Sequence, residues 1–334
     1  MKKRLLYGIP VSLALIWLLL GFYGMHQIKH FERLSLQAVL DSPERMQSYG
    51  MQPGMTDPSA YGATDFQTVH YVSTPDGVQL EAWYIPAVQK KTRDCVLILH
   101  GRGTNRLKQM KMIGLLRELG VHRDHCILLP DLRNSGGSAE AESSLGWDFA
   151  EDIVSSMETL KQKWGHDRFV LYAFSTSAMA TGVLHYRPDL KERMKAGGLA
   201  IKALVFDSPL SNSEANYYFL AHKKFGLPDF VMAGGITFFG WQAPFRLDEL
   251  RLSHLYPAYQ HLPLIIFQSQ QDQTTPYSIF EHEYAQIKDP AHIQLHVFEA
   301  GDHVRIYQNP LNTATYKSKL AAFFQAHLRA GVPQ

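Results

Sequence analysis

Short apolar runs, most of them separated by segments of helical length, constrain the fold of this 334-residue chain more than any other feature. The runs are CVLILH (95–100), HCILLP (125–130), RFVLYAF (168–174), KALVFD (202–207), LPLIIFQ (262–268) and QLHVFEA (294–300). Amphipathic segments such as LKQMKMIGLLRELG and DIVSSMETLKQKWG lie between them. Apolar strands that alternate with helices indicate an α/β fold, in which helices cover both faces of a mostly parallel sheet.

The segment before the first of these runs predicts a β-hairpin. FQTVHYVSTPDGVQLEAWYIP (66–86) consists of two alternating apolar and polar runs around the turn residues Pro75-Asp76-Gly77. We therefore expect one large domain over residues 66–330. Its longest insert between strands is residues 211–256, which predicts a cap of short helices, since Pro228 and Pro244 interrupt its apolar stretch.

The amino terminus predicts a membrane-spanning helix over residues 1–25. Residues 5–25 contain no Asp, Glu, Lys, Arg or His, and as a helix they extend about 31 Å, close to the hydrocarbon thickness of a bilayer. The basic residues 2–4 place the amino terminus in the cytoplasm and the rest of the chain on the extracytoplasmic (periplasmic or lumenal) side. A cleaved signal peptide is the alternative, but the bulky residues 22 and 23 disfavour a cleavage site there. Residues 26–65 are interpreted as a membrane-proximal stalk.

Functional residues of a parallel sheet are expected directly after its strands, at their carboxyl ends. The segments in those places are His100-Gly101-Arg102-Gly103, Asp131 to Ser138, Ala173-Phe174-Ser175-Thr176-Ser177, Gln268 to Asp272 and Gly301-Asp302-His303. A serine, a carboxylate and a histidine thus occur in that order along the chain. This is the order in which α/β-hydrolases carry their catalytic residues.

The motifs LHGRG, PDLRNSGGS, AFSTS, QSQQD with QTTP, and AGDH resemble in order and spacing those of the α/β-hydrolase superfamily. The nearest resemblance is to its serine aminopeptidase-like and dienelactone-hydrolase-like branch with an N-terminal membrane anchor, and it covers about residues 57–328. It implies an α/β-hydrolase fold with a short helical cap. It also implies a membrane-anchored serine hydrolase of the esterase, lipase, thioesterase or peptidase-like kind, which acts through an acyl-enzyme.

The resemblance implies three catalytic side chains. Ser175 would be the nucleophile, His303 the general base and Asp272 the acid that orients the imidazole. Asp207 is the alternative acid, because some relatives supply it one strand earlier. The family usually has His and Gly shortly before the acid, and this chain has Gln268 and Ser269 in that region.

The turn around the expected nucleophile departs from the family's Gly-x-Ser-x-Gly pattern. Here Ala173 and Ser177 flank Ser175, and the small residues are needed because a sharp strand-to-helix turn brings the backbones together. A serine at the second place either tightens this turn or adds a hydroxyl beside the nucleophile. The other reading frame, with Ser177 as nucleophile, would put Met179 at the crowded place and is sterically worse.

Two backbone N–H groups would form the oxyanion hole by resemblance, those of Thr176 and Arg102. Asp131 is interpreted as part of a structural loop. No cofactor or metal is expected, because His122 and His125 form a pair for which the spacing supplies no third ligand. The two cysteines, Cys95 and Cys126, could form one bridge.

The composition gives no support for a nucleic-acid partner, because 33 basic and 31 acidic side chains leave a net charge of +2. The expected partners are a small-molecule or lipid-like acyl substrate and the membrane, through the N-terminal helix. A non-catalytic hydrolase-like scaffold that binds a lipid or a protein is the alternative function, since a fold does not guarantee activity.

Overall fold

The computed structural model describes residues 2–89, 91–226 and 228–328, and the side chains of residues 2–13 and 225 lie outside that description. Its strands form one eight-stranded sheet in the order β1-β2-β4-β3-β5-β6-β7-β8. The strands are β1 (Gln67–Ser73), β2 (Val78–Ile85), β3 (Asp94–Leu99), β4 (His125–Asp131), β5 (Arg168–Phe174), β6 (Ala200–Asp207), β7 (Leu264–Ser269) and β8 (Ile293–Phe298). β2 pairs antiparallel with β1 and β4, and every other pair in this sheet is parallel.

Helices precede the sheet and connect its strands. They are α1 (Lys2–Lys29), α2 (Leu36–Leu40), α3 (Pro43–Ser48), α4 (Lys111–Glu118), α5 (Phe149–Trp164), α6 (Thr176–Tyr186), α7 (Pro188–Gly197), α8 (Ser213–Phe225), α9 (Asp229–Gln242), α10 (Leu252–Leu255), α11 (Tyr277–Ala285) and α12 (Pro310–His327). α8, α9 and α10 occupy the insert between β6 and β7.

The central strands of the sheet are buried on both faces, as their apolar runs predict, whereas β1 and β8 at its edges are partly exposed. In β3 the side chains of Cys95, Leu97 and Leu99 lie in a core shared with α5 and α6. Those of Val96 and Ile98 lie in a second core shared with α4 and α12. Because successive side chains of a strand point to opposite faces, a strand between two helical layers has no polar face, which explains its unbroken apolar sequence. The predicted α/β architecture, a mostly parallel sheet with helices on both faces, is thus confirmed.

The two cysteines are bonded to each other across neighbouring parallel strands. Cys95 of β3 and Cys126 of β4 are register partners, and the disulfide joins them in the middle of the sheet. Both side chains are fully buried. The bridge that the sequence left open is therefore present.

The N-terminal helix α1 packs along α9 through small and aromatic residues. Trp17 Nε1 donates a hydrogen bond of 2.9 Å to the carbonyl of Phe230, and a Cβ atom at Gly24 would lie 3.2 Å from the Cα of Gly235. Within the described part of the chain, no helix combines the length and the apolar character that crossing a membrane requires. The side chains of residues 2–13, which include the basic residues that predict the orientation, lie outside the description.

Residues 26–65, predicted as a stalk, pack against the sheet domain. Apolar side chains of this segment are buried in the core beside α4 and α12, and these are Val39, Met46, Tyr49, Met51 and Ala63. The helices α2 and α3 that carry some of them are only five and six residues long. Helices this short are stabilised by tertiary packing rather than by their own propensity, and they leave no clear periodic pattern in the sequence.

Residues 30–36, which we call the strap, bind the loops that follow β3 and β4. Asn134 Nδ2 donates to the carbonyl of Phe31 at 2.7 Å, and Asn105 Nδ2 donates to that of Leu34 at 3.0 Å. Arg33 Nη2 donates to the carbonyl of Gly136 at 2.8 Å. The strap therefore lies at the carboxyl edge of the sheet, where functional residues are expected.

Candidate active site

Ser175 occupies the sharp turn between β5 and α6. Its backbone has a positive φ of 54° with ψ −119°, which is costly for a residue with a Cβ atom. The turn is held on both sides, because the Ser175 N–H donates to the carbonyl of Asp207 at 3.1 Å and the Ser175 carbonyl accepts from the N–H of Leu210 at 3.1 Å. The constrained geometry projects the hydroxyl at the carboxyl edge of the sheet, as in a nucleophile elbow.

The structure brings Ser175, His303 and Asp272 together in one hydrogen-bonded chain. His303 Nε2 lies 3.0 Å from Ser175 Oγ, and His303 Nδ1 lies 2.7 Å from Asp272 Oδ2. An ionised carboxylate only accepts, so Nδ1 carries the proton that it donates to Asp272, and Nε2 is left to accept the hydroxyl proton. The arrangement can therefore remove the proton of Ser175.

The loop after β7 holds Asp272 as an anion. Its Oδ1 accepts the backbone N–H groups of Thr274 and Thr275, both at 2.8 Å, and its Oδ2 accepts the Thr275 hydroxyl at 2.9 Å. Burial by itself raises the pKa of Asp272, but the neighbouring His303 and these donors outweigh it, so the pKa lies below the ordinary value. Gln268 supports the same turn through a 3.0 Å bond from its Nε2 to the carbonyl of Thr275.

Asp207, the alternative acid, does not contact His303. It lies at the end of β6, where its carboxylate accepts from the Tyr316 hydroxyl at 2.7 Å and from the Ser208 hydroxyl at 2.9 Å. Burial raises the pKa of this carboxyl. Asp302, which precedes His303 in the sequence, has a side chain that is 78% exposed and pairs with Arg305.

Gly101 brings the loop after β3 against the candidate nucleophile. A Cβ atom at this position would lie 2.9 Å from Ser175 Cβ, which real side chains do not tolerate, so the close approach requires glycine. The next residue is Arg102, and Thr176 is the first residue of α6, where backbone N–H groups lack intrahelical partners. Two amides at these places are suited to an oxyanion on a carbon attached to Ser175 Oγ.

His100, which the motif contains but to which the sequence assigned no role, shapes this loop. Its Nε2 accepts from the N–H of Leu132 at 3.0 Å, so Nδ1 carries the proton and donates to the Gly101 carbonyl at 2.8 Å. Full burial lowers the pKa of His100, which keeps the ring neutral. The Ser177 hydroxyl donates to the His100 carbonyl, so the departure from the glycine pattern ties the elbow to this loop and adds no free hydroxyl beside Ser175.

Two residues beyond the sequence motifs bind the backbone of Val304, the residue after His303. The N–H of Val304 donates to Ser208 Oγ at 3.0 Å, and Lys111 Nζ donates to the Val304 carbonyl at 2.9 Å. Ser208 lies just after β6 and also bonds Asp207, so it joins the loops after β6 and β8. Ser208 and Lys111 are remote in sequence from His303 and belong to no recognisable motif, so no sequence signal could identify them.

The remaining sequence candidates have structural surroundings. Asp131 is fully buried and accepts the N–H groups of Arg106 and Gly137, both at 2.8 Å, as a structural loop residue would. Over the described residues, no group of three or more His, Cys, Asp or Glu could hold a metal ion. His122 and His125 thus gain no third ligand from that part of the chain.

Solved structures of other proteins share this fold. An esterase from Pyrococcus furiosus superposes with a TM-score of 0.60 at 19% identity, covering 81% of this chain and 94% of the esterase. An open-form lipase gives 0.55 at 14% identity, with 78% and 98% covered. A serine hydrolase without lid from Xanthomonas campestris gives 0.50 at 11% identity, with 81% and 98% covered.

No protein-family model and no curated protein matches the sequence. At 11–19% identity the structural likeness establishes the α/β-hydrolase fold and leaves the activity open. The function must therefore be argued from the site.

Proposed function

We propose that this protein is a serine hydrolase that cleaves a carboxylic ester, thioester or amide through an acyl-enzyme intermediate. The observation that carries the proposal is the hydrogen-bonded chain from Ser175 through His303 to Asp272. The same three residue types in this geometry activate a serine hydroxyl on unrelated folds, so the chemistry depends on the arrangement and not on the scaffold.

Acylation begins when Ser175 Oγ attacks the substrate carbonyl carbon and its proton passes to His303 Nε2. The bond between Oγ and carbon forms as the carbonyl π bond opens, and the negative oxygen is placed between the N–H groups of Arg102 and Thr176. The imidazolium formed at His303 is stabilised by Asp272, whose carboxylate is already ionised. When the tetrahedral intermediate collapses, the bond to the leaving group breaks, and the leaving group takes the proton from Nε2.

Deacylation repeats these steps with water as the nucleophile. His303 Nε2 removes a proton from water as its oxygen bonds to the acyl carbon, and the same two amides hold the second oxyanion. Collapse breaks the bond between carbon and Ser175 Oγ, and the serine regains its proton from Nε2. The acid is released and the site returns to its starting state.

A fluorophosphonate probe tests the proposal, because it phosphonylates only an activated serine. We expect the full-length protein to be labelled and the Ser175→Ala variant not to be. Ser177→Ala is the matched control, since the Ser177 hydroxyl is engaged with the His100 carbonyl, and it should keep the label. Folded wild-type protein without label would instead favour a non-catalytic scaffold that binds a lipid or a protein.

A lipid-like acyl substrate is the class that the cap favours. Helix α9 is apolar along its length, and its Phe230 and Trp241 are 64% and 74% exposed. Apolar surface of this kind suits the acyl chain of a substrate. If the cap holds such a chain, kcat/KM for a series of esters should rise with acyl length, and an equal rate for all lengths would contradict this assignment.

We further propose that α1 anchors the protein in a membrane. The absence of ionisable side chains over residues 5–25 supports this, as do the exposed fractions of Leu15 (56%), Ile16 (52%) and Leu19 (62%). The test is fractionation of cells that express the full chain. We expect the protein to stay with the membrane after washing at high salt and alkaline pH, and release into the supernatant would contradict the anchor.

The hydrolase domain is proposed to lie on the extracytoplasmic side. The basic residues 2–4 support this orientation, and the buried Cys95–Cys126 disulfide is typical of an oxidising compartment. Protease added to sealed vesicles of known orientation tests it. The domain should be digested only when the extracytoplasmic face is outward, and the reverse result would contradict the proposal.

A further inference from the structure

The side chain of Arg102 binds the carboxyl end of the N-terminal helix α1. Its Nη2 donates to the carbonyls of Gln27 and Ile28, both at 3.0 Å, and to that of His30 at 2.8 Å. The last carbonyls of a helix have no intrahelical donor, and they lie at the negative end of the helix dipole. A guanidinium at this place therefore satisfies hydrogen bonds and complements charge at once.

This contact replaces the carboxylate that a buried guanidinium usually has. Within the described residues, no Asp or Glu lies in ion-pair distance of Arg102. The guanidinium also lies 4.7 Å from the ring of Phe31, over its face. Burial lowers the pKa of Arg102 to about 10, which leaves the group charged at neutral pH. The end of α1 is thus the main partner of this charge.

The backbone of the same residue belongs to the candidate oxyanion hole. Gly101 is packed against Ser175, and the Thr104 hydroxyl donates to the Gly101 carbonyl at 2.8 Å. Arg102 therefore has its backbone beside the nucleophile and its side chain fastened to another element. Because the backbone and the guanidinium of Arg102 are both fixed, the peptide planes of this short loop have little freedom to rotate.

We infer that Arg102 is a positioning residue, whose side chain, held by the carbonyls at the end of α1, keeps its own backbone N–H directed at the oxyanion. The inference rests on the proposed function and deepens it. It makes acyl transfer depend on the docked N-terminal helix, although that helix supplies no catalytic group. The role is separate from that of the backbone N–H itself, which any residue except proline could supply.

Full-length Arg102→Met tests the inference in ester hydrolysis. Loss of an oxyanion donor typically lowers kcat by about 10²–10³-fold, so a donor that is misdirected rather than lost should lower kcat by about 10–100-fold. KM should change little, because the ground-state carbonyl gains little from the donor. Arg33→Met is the matched control, since Arg33 fastens the neighbouring strap to Gly136 without touching the loop beside Ser175.

A thionoester substrate separates positioning from a general loss of structure. Its C=S sulfur accepts hydrogen bonds weakly, so its rate depends little on the oxyanion hole, while deprotonation of Ser175 is required for both substrates. We expect the ratio of ester rate to thionoester rate to fall about 10-fold or more in Arg102→Met and to be unchanged in Arg33→Met. An unchanged ratio in Arg102→Met would overturn the inference and assign the side chain a structural role only.

Arg102→Lys is the conservative variant. An ammonium retains the charge but contacts the carbonyls at one point, so its ratio should lie between those of wild type and Arg102→Met. If Arg102→Met does not fold, the test is made with Arg102→Lys. A ratio of ester rate to thionoester rate equal to that of wild type in Arg102→Lys would then overturn the inference. Wild-type protein without turnover of either substrate would overturn the proposed function and the inference together, whereas turnover with an unchanged ratio overturns the inference alone.

Discussion

Two buried carboxyls lie at the ends of neighbouring strands, and their surroundings give them opposite properties. Asp272, after β7, accepts two backbone N–H groups, a hydroxyl and the proton of an imidazole, and its pKa lies below the ordinary value. Asp207, at the end of β6, accepts two hydroxyls, and burial raises its pKa. Both side chains are almost fully buried, so exposure does not distinguish them.

The difference shows that the groups around a buried carboxyl decide the direction in which its pKa moves. N–H groups and a positive neighbour stabilise the anion, which is what an imidazolium needs beside it. Hydroxyls also bond well to a neutral acid, because they can accept as well as donate. The loop after β7 is therefore suited to acid–base chemistry, and the end of β6 is suited to a structural network with Tyr316 and Tyr172.

The largest expected effect comes from Asp272→Asn. The amide keeps the shape but removes the charge that stabilises the imidazolium and fixes its tautomer, so kcat should fall by about 10⁴-fold. Asp207→Asn is the control, because its amide can accept from Tyr316 and donate to Ser208, and its kcat should stay near that of wild type. Steady-state ester hydrolysis measures both, and equal losses in the two variants would remove the functional distinction between the carboxyls.

An intermediate effect is expected from removing one hydroxyl at each site. Thr275→Val removes a donor from a charged acceptor, a bond that contributes about 1.5–3 kcal/mol, so kcat should fall at least about 10-fold. Tyr316→Phe removes one of the two hydroxyls that donate to Asp207 and leaves the Tyr172 hydroxyl without its hydrogen-bond partner, and it should lower the free energy of unfolding by about 1–3 kcal/mol with little change in kcat.

Urea unfolding and ester hydrolysis are measured on both variants. If Thr275→Val changed only stability while Tyr316→Phe changed only kcat, the roles of the two sites would be exchanged.

The smallest effect is on how stability depends on pH. Because the folded pKa of Asp207 is raised, the folded state binds more protons than the unfolded state above about pH 4, and this carboxyl destabilises the protein as pH rises. The folded pKa of Asp272 is lowered, so its contribution is present above about pH 4 and is lost as pH falls through the folded value. Asp207→Asn should therefore gain stability relative to wild type with rising pH, and Asp272→Asn should lose it.

The measurement is urea unfolding between about pH 3 and 6, which includes the range in which the Asp272 contribution is lost. Lys111 also acts electrostatically on Asp207, and burial lowers the pKa of Lys111 to about 7. Staying below that value keeps the Lys111 charge constant. If the free energy of unfolding relative to wild type had the same slope against pH in both variants, the two carboxyls would not differ in this respect.

The sheet and the residues at its strand ends could be predicted from the sequence because they follow from local patterns. A strand between two helical layers is apolar throughout, and Ser175, Asp272 and His303 each follow such a run directly. The hairpin of β1 and β2 is confirmed for the same reason, since its alternation and its Pro-Asp-Gly turn are local.

The contacts around the site could not be predicted, because they join residues remote in sequence. The hydroxyl of Ser177 can point in several directions, and only the packed structure shows that it meets the His100 carbonyl. The motif assigns a role only to the backbone N–H of Arg102, so it does not predict what the side chain contacts. Residues 26–65 show no regular period of apolar residues, so their burial beside α4 and α12 left no sequence signal.

The contact between the end of α1 and the loops over the sheet also sets an order in biosynthesis. Gln27 and Arg102 are 75 positions apart, and Phe31 and Asn134 are 103 positions apart. At a translation rate of about 5–20 residues per second, the helix leaves the ribosome roughly 4–20 s before the groups that receive it. During that interval the end of the helix has no docking place in its own chain, so the first element to be made reaches its final position only after later elements exist.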